Sequence, residues 1–414
     1  NTAVGYQALH ANTTGAQNTA VGKDALDANT TAHDNTAIGV GALGVMDGGT
    51  GKNVAVGNYS GDAITTGGSN NVLGYQAGSA ITTGSNNNFF GTMAGKSTTT
   101  VDYINAFGQE ALEANTTGAK NNAFGFRALE ANTTGSNNTA FGHEALKTQT
   151  TSNYNTAFGD SALKVATGDA NVAVGQECLV ANTTGHSNSA VGRHSGENTT
   201  TGTNNVFVGC ESGFDNVGGS YNTFMGVLGG DDSTSGNYNI AIGYNSGNVN
   251  GTKTITIGTN VTAIGDFTTT FGADSEGRVS NEYDTNATWS RTSDIRWKKD
   301  VNTNTDCGLS LINDLRTVTY KWKAPSERPP ELIGYDAEKT EPTHKEKMYG
   351  FIAQEVKESL DKYNITDFNG WTMDEKDGSQ GVSYEMFVIP LVKAVQELSA
   401  ENNALKARLD AAGL

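Results

Sequence analysis

Side chains able to do chemistry are few and unevenly placed in this chain of 414 residues. Cys178, Cys210 and Cys307 are too few and too scattered for a disulfide framework or a cysteine-based zinc site. None of the six histidines stands in a metal-ligand pair such as His-Glu-x-x-His. These nine residues read as core thiols and surface imidazoles, and neither cofactor nor metal is expected. Glycan hydrolysis would need carboxylates gathered in a groove. Asp231-Asp232 is the only adjacent acidic pair in the Gly-rich part of the chain, and its Gly/Ser surroundings read as a turn. One further segment draws attention, S-D-I-R-W-K-K-D at residues 293–300. A serine hydroxyl is a poor nucleophile until a base takes its proton, and a lysine can be that base where burial or a neighbouring cation lowers its pKa. Arg296 and Lys299 are cations beside Lys298. Spacing alone favours the plainer reading, a solvated charged segment.

Two kinds of chain carry these residues. Glycine contributes 52 residues and hydrophobic types only 36%, which suits the thin, continuous core of a solenoid better than one large globular core. All five prolines lie after residue 292, whereas only seven of the glycines do, so two different domains meet near 290. The net charge of −17 opposes a nucleic-acid backbone or an anionic membrane surface as partner. The longest apolar run near the end, 386–392, is far too short to span a bilayer, so no membrane insertion is expected. Asn1 stands inside a repeat, and an N-terminal anchoring part is expected to precede it.

The repeat appears when the chain is aligned on Gly5, Gly22, Gly39, Gly57, Gly74, Gly91, Gly108, Gly125, Gly142, Gly159, Gly175, Gly192, Gly209, Gly226 and Gly243. The step is 17 residues, with one of 18 and one of 16, a period that means one small coil per repeat. Four residues before the glycine stands Asn, except at Ile104. Asn tolerates left-handed backbone and bonds its neighbours, so these residues predict a stacked corner column. One residue before the glycine the side chain is always large and apolar (Val4, Ile38, Leu73, Phe107, Met225); two before, it is Ala, Val or Phe. Adjacent strand residues point to opposite faces, so both faces of the strand are apolar, and the outer one is expected to meet other subunits. Ala8-Leu9 and its equivalents predict a second inward ladder, and N-T-T-G segments such as 12–15 and 132–135 predict turns. The sequons at Asn12, Asn29 and Asn115 read as turn chemistry rather than glycan acceptors, and ice binding by the Thr rows is a remote alternative. Fifteen coils at about 4.8 Å per strand make a rod of roughly 70 Å.

The motifs N-T-A-I-G (35–39) and N-I-A-I-G (239–243) resemble the head repeats of trimeric autotransporter adhesins of the YadA type. That resemblance covers about residues 1–250 and implies a left-handed parallel β-roll packed as a trimer, here with a repeat two or three residues longer. Residues 251–292, with T-K-T-I-T-I-G at 252–258, read as a β-rich connector.

After 293 three segments, S-D-I-R-W-K-K-D (293–300), Y-G-F-I-A-Q-E-V (349–356) and V-S-Y-E-M-F-V-I-P-L-V-K-A-V-Q-E-L (382–398), together resemble the intramolecular chaperone autoprocessing domain of endosialidase-type phage tailspikes and tail fibres. The resemblance spans 293–414. It implies self-cleavage of the Thr292-Ser293 bond by a dyad of Ser293 and Lys298, with Asp294 orienting the site; Trp297 replaces the family's usual aliphatic residue. At the end of the chain Leu391, Val395, Leu398, Leu405 and Leu409 follow 4-3 spacing broken by Asn402, a coiled-coil seam with one polar residue that can fix register. Pro390 must lie in that helix's first turn or at a kink. A further amphipathic helix is expected over 350–360 and a strand over 318–323.

The expected fold is therefore mainly β: a trimeric parallel β-solenoid of about 17-residue repeats (1–250), the connector, and a smaller α+β chaperone domain (293–414) ending in a trimeric coiled-coil helix. The expected function is a structural, receptor-binding distal tail fibre of a phage or virus. It would assemble as a homotrimer that meets a host-cell surface receptor or glycan. The alternatives are a cell-surface trimeric adhesin, which would need a membrane anchor, and a tailspike hydrolase acting on host polysaccharide.

Overall fold

A computed structural model describes the whole chain except residues 248–249, 274–276, 283–289, 292–294, 296–297, 331, 333–334, 343–344, 375 and 414. The chain divides into two compact units, Asn1–Ser293 and Asp294–Leu414.

The first unit is a β-solenoid. Fifteen three-residue strands, β1 (Thr2–Val4) to β15 (Ile240–Ile242), stack parallel and in register, each residue opposite its equivalent one repeat on, as in Thr2↔Thr19, Ala3↔Ala20 and Val4↔Val21. The parallel ladder continues through β16 (Ile255–Thr259) and β17 (Thr268–Ala273), inside the span expected as connector. The chain then turns antiparallel in β18 (Gly277–Glu282) and β19 (Ser290–Arg291). The glycine after each strand has a reason beyond flexibility. At Gly22 the backbone has φ +141° and a Cβ would lie 2.3 Å from the Gly39 carbonyl oxygen, so successive coils can stack only if that position has no side chain.

The strand's two faces part as strand geometry requires. Ala20, Ala37, Ala140 and the equivalent Phe89, Phe207 and Phe224 are fully buried. The next residue points outward: Val4, Ile38, Phe141, Val191 and Met225 are exposed, and Phe90, Phe107 and Phe124 half-buried. The interior is filled by a volume exchange. Where the inward strand residue is Ala, the position four after the glycine is mostly a buried Leu (Leu26, Leu43, Leu112, Leu129, Leu146). Where it is Phe, that position is Gly, and a Cβ on Gly95 would come within 2.6 Å of the Phe89 ring and one on Gly230 within 2.4 Å of Phe224. Either residue fills the same space, and having both would overpack it.

The Asn column is a polar ladder inside the coil, interrupted once. The Asn138 backbone N–H donates to Asn121 Oδ1 at 2.9 Å, its Nδ2 donates to the Ser152 carbonyl at 2.8 Å, and its own Oδ1 accepts from the Asn155 N–H at 2.9 Å. The same pattern runs from Asn18 upward and ends on Thr254, whose N–H and hydroxyl both donate to Asn239 Oδ1. At the exception the Ile104 N–H still donates to Asn87 Oδ1, but the isoleucine returns no oxygen. The sequon asparagines Asn29, Asn115, Asn132 and Asn182 are also fully buried. Asn132 Nδ2 donates to Asn115 Oδ1 at 2.8 Å, so these are internal turn residues, as expected, and are not presented to solvent in the folded coil.

In the second unit, strand β20 (Val318–Tyr320) pairs antiparallel with β21 (Met348–Gly350), and β22 (Trp371–Met373) with β23 (Gln380–Val382). The helices are α1 (Leu309–Asp314), α2 (Ala353–Lys362) and α3 (Val388–Ala412). Two expected boundaries shift. The strand over 318–323 stops at Tyr320, and the helix expected from 350 begins at Ala353, because Gly350 closes the β20–β21 pair. Leu311, Val356, Leu360, Ile365 and Phe387 form the core; Val356 and Leu360 are four apart on one face of α2.

The Asn ladder yields a direct test. Asn138→Ala strands the buried Asn155 N–H and leaves the Ser152 carbonyl only its bond from Gln149 Nε2, and is expected to cost about 1–3 kcal/mol. The melting temperature should fall clearly, whereas the exposed Thr134→Ala should leave it nearly unchanged. Equal melting of the two variants would show that the ladder contributes no stability.

Candidate functional site

The three segments singled out after 293 fare differently. Thr292, Ser293 and Asp294, the expected scissile pair and the nucleophile with its orienting neighbour, lie outside the described residues, as do Arg296 and Trp297. Lys298, the expected base, is exposed, and its backbone N–H donates to the Ile295 carbonyl at 3.1 Å.

The other two segments meet. Phe351 stacks on Tyr384 with ring centroids 5.6 Å apart and lies 5.3 Å from Phe387. The Phe351 N–H donates to the Tyr384 hydroxyl at 3.3 Å. Gly350 allows this approach, since a Cβ there would stand 2.2 Å from that hydroxyl oxygen. Tyr320, Trp322, Gln354 and Gln380 complete an open recess of about 420 Å³ around Phe351 and Tyr384.

Helix α3 is held by its first half alone. Pro390 and Ala394 are buried, and the Glu397 carboxylate accepts the Leu309 N–H at 2.7 Å, satisfying a free donor at the start of α1. That bond, ahead of the burial that opposes it, holds the Glu397 carboxyl below its usual range. Pro390 sits in the first turn of α3, as expected, where its missing N–H costs nothing. The expected seam lies on another face. Leu391, Val395, Leu398, Asn402, Leu405 and Leu409 are all exposed, Val395 at 64% and Leu398 at 53%, so α3 carries a 4-3 apolar stripe that its own chain does not cover.

On the solenoid the outward strand residues form a second uncovered stripe. Phe90, Phe107, Phe124, Phe141 and Phe158 stack with successive centroids 4.6, 4.7, 5.6 and 4.6 Å apart.

Another side of the solenoid carries charge, supplied by residues two and five past several of the repeat glycines. Arg127 Nε lies 2.6 Å from Glu110 and 3.8 Å from Glu130; Lys147 Nζ lies 2.6 Å from Glu144; Lys164 Nζ lies 2.7 Å from Glu144. Stacking of coils builds this network, because positions 17 apart in sequence become neighbours. The Asp231-Asp232 pair is a half-buried carboxylate beside an exposed one; burial first, then Asp232, pushes the Asp231 carboxyl up.

Residues 293–367 match the model of a peptidase family described as chaperone of endosialidase. The second unit thus carries a chaperone-of-endosialidase domain behind a β-solenoid of about 17-residue repeats. The match stops at residue 367, so α3 and the 382–398 segment lie beyond it, a shorter extent than the resemblance over 293–414 implied. Neither a curated protein nor a solved structure matches the chain.

The charged column makes the solenoid sensitive to acid in a defined direction. Hydrogen bonds from Lys147 and then Lys164 hold the Glu144 carboxyl at about 2, against an ordinary value of 4.5. A lowered folded pKa contributes stability that is present above about pH 4.5 and lost as pH falls toward 2. Melting temperatures between pH 6 and 2 should decline on the acid side, and Glu144→Gln should flatten part of that decline. Parallel curves for the two proteins would show that Glu144 is equally stabilised in the unfolded chain.

Proposed function

We propose that the protein is the distal, receptor-binding part of a trimeric tail fibre of a phage or virus, assembled by a C-terminal chaperone domain that cuts itself off at Thr292-Ser293. The observation that carries this reading is the order of the chain: a long β-solenoid followed directly by a chaperone-of-endosialidase domain whose match begins at Ser293. Trimerisation is supported by the two uncovered apolar stripes, the outward column of the solenoid and the 4-3 seam of α3. Apolar area of this extent is expensive to leave in water, at about 25 cal/mol per Å², and three copies around one axis would cover it. Binding of a host receptor or glycan is assigned to the outer surface of the repeats.

The chemistry follows from the peptide bond concerned. Ser293 Oγ attacks the Thr292 carbonyl carbon while its proton passes to Lys298; the C–N bond then breaks as the Lys298 ammonium returns that proton to the Ser293 nitrogen, which leaves as an amine while the acyl group stays on oxygen. Water then hydrolyses the ester, leaving a Thr292 carboxylate and a free Ser293. Asp294 orients the pair. Each chain turns over once, and no cofactor takes part. The released domain would remain in the host cytoplasm while the fibre joins the virion. A cell-surface adhesin is the second reading, favoured by the YadA-type motifs of the repeats, and it would retain every part of the chain.

Two outcomes follow. Wild-type protein should yield pieces of 292 and 122 residues out of 414. Ser293→Ala and Lys298→Ala should each give one full-length band that still elutes as a trimer. Cleavage persisting in Ser293→Ala removes the dyad, and an uncut wild-type trimer means that the domain is retained. Leu398→Asp places a charge in the seam and is expected to abolish soluble trimer, measured by light scattering. A normal trimer yield from that variant would show that α3 is not the registering element.

A further inference from the structure

The column of charges along the solenoid changes character at one place. Glu110, Glu113, Glu130 and Glu144 each have a lysine or arginine within ion-pair distance. Arg127 serves Glu110 and Glu130, Lys96 lies 3.5 Å from Glu113, and Lys147 and Lys164 close on Glu144. One coil beyond His194 a carboxylate again meets a cation, with Arg193 at 2.7 Å from Glu211. Between them, Glu177 and Glu197 converge on an imidazole instead. His194 Nδ1 lies 3.3 Å from Glu177 Oε2 and 2.5 Å from Glu197 Oε2, and the three ligand atoms all lie within 4.8 Å of one another. Among the described residues neither glutamate has a lysine or arginine within ion-pair distance.

A single ring nitrogen can satisfy one in-plane partner, by donating its proton or its lone pair. Two carboxylates aimed at that one nitrogen are therefore matched by a cation at their centre. From these residues we infer that Glu177, His194 and Glu197 form a binding site for a divalent transition-metal ion of the zinc class, with the remaining coordination position open to water or to an external ligand.

The geometry and donor set fit that ion. One imidazole nitrogen with two carboxylate oxygens is a common three-ligand set for zinc, and donors at about 2.0–2.1 Å in a tetrahedron stand about 3.3 Å apart. The Glu177–His194 separation already has this value; Glu197 needs to open by less than 1 Å. The site is also built on rigid backbone. Glu177 and His194 occupy equivalent positions on adjacent coils, both with left-handed backbone, at φ 54° and 56°. The His194 N–H donates to the Gln176 carbonyl at 2.9 Å and the Glu197 N–H to the His194 carbonyl at 3.3 Å. The His194 side chain is only 18% exposed, so its ring has little room to turn away. A bound ion would staple two neighbouring coils.

The cluster Glu110, Glu113 and Glu130 is a useful contrast. It has three carboxylates and no imidazole, and Arg127, Lys96 and Lys147 already neutralise it.

The test uses the full assembled chain, stripped with a chelator. Calorimetric titration with ZnCl₂ at pH 7.5 should show one ion per chain, and Co²⁺ should give the visible bands of a tetrahedral site. His194→Ala should abolish both signals, and Glu177→Gln should weaken Zn²⁺ binding at least tenfold, while Glu113→Gln leaves it unchanged. Absence of Zn²⁺ binding in wild type, or unchanged stoichiometry in His194→Ala, overturns the inference. So does the remaining possibility, an imidazolium held by two carboxylates. In that case Zn²⁺ would neither bind nor change the melting temperature of the chelator-stripped protein.

Discussion

Every coil of this solenoid leaves its hydrogen-bonding groups to be met by the next coil in the same register, and the rest of the structure depends on that constraint. Strands of three residues cannot stabilise themselves. The Thr2 N–H finds the Asn18 carbonyl, and the Gly22 N–H finds the Val4 carbonyl, one coil away. The Asn column transfers the same demand to side chains, since each Oδ1 is the acceptor for the following coil's backbone. A slip inside the chain would leave buried donors unpaired at a cost of about 1–3 kcal/mol each, which fixes the stacking far more firmly than the apolar contacts could.

Given that stacking, identical positions become columns, and each column takes a single job. The inward column is a packing problem, solved by exchanging Leu for Phe with a compensating Gly. The column after the repeat glycine carries charge, and its neighbours are decided by a spacing of 17 rather than by adjacency in sequence. That explains what could be read from the sequence and what could not. The alignment on glycine is enough to foresee the Asn ladder, the buried Ala and Leu positions and the outward Val and Phe residues, because each follows from period and strand alternation. It also explains why the Thr-rich sequons read as turns, with Asn132 and Asn182 folded inside.

The convergence of Glu177, His194 and Glu197 was not legible in the same way. A search for ligand pairs three or four residues apart finds His194 and Glu197 only as an isolated couple, and the third member comes from the coil before. Combining the 17-residue step with the side-chain types would have found it. In the C-terminal unit the exposed apolar stripe of α3 could be read from 4-3 spacing, whereas the start of α2 could not. Periodicity extends a helix back to Gly350, but the pairing of β20 with β21 and the contact of Tyr384 with the Gly350 backbone hold that residue in a strand.

Repetition also creates the hazard that a chaperone would answer. Within one chain connectivity fixes which coil follows which, but between copies of a chain nothing comparable exists. On the proposed assembly the outward column runs Val4, Val21, Ile38 and Val56, then five phenylalanines from Phe90 to Phe158, then Val174, Val191 and Val208. A stagger of one coil would replace Val by Val or Phe by Phe at half of the steps and one aliphatic residue by another at most of the rest. An aromatic residue would meet an aliphatic one only at the block's two ends, at Leu73 and Phe90 and again at Phe158 and Val174. Two aromatic-for-aliphatic mismatches, worth about 1–3 kcal/mol each by the usual cost of misfitted apolar residues, are a weak discriminator for so long an interface. Stagger has to be set by something outside the repeats. In the proposed trimer, a helix with a single register, marked by one polar residue at Asn402, would supply that element, and the unfolding barrier of the interlocked coils would then keep the alignment without it.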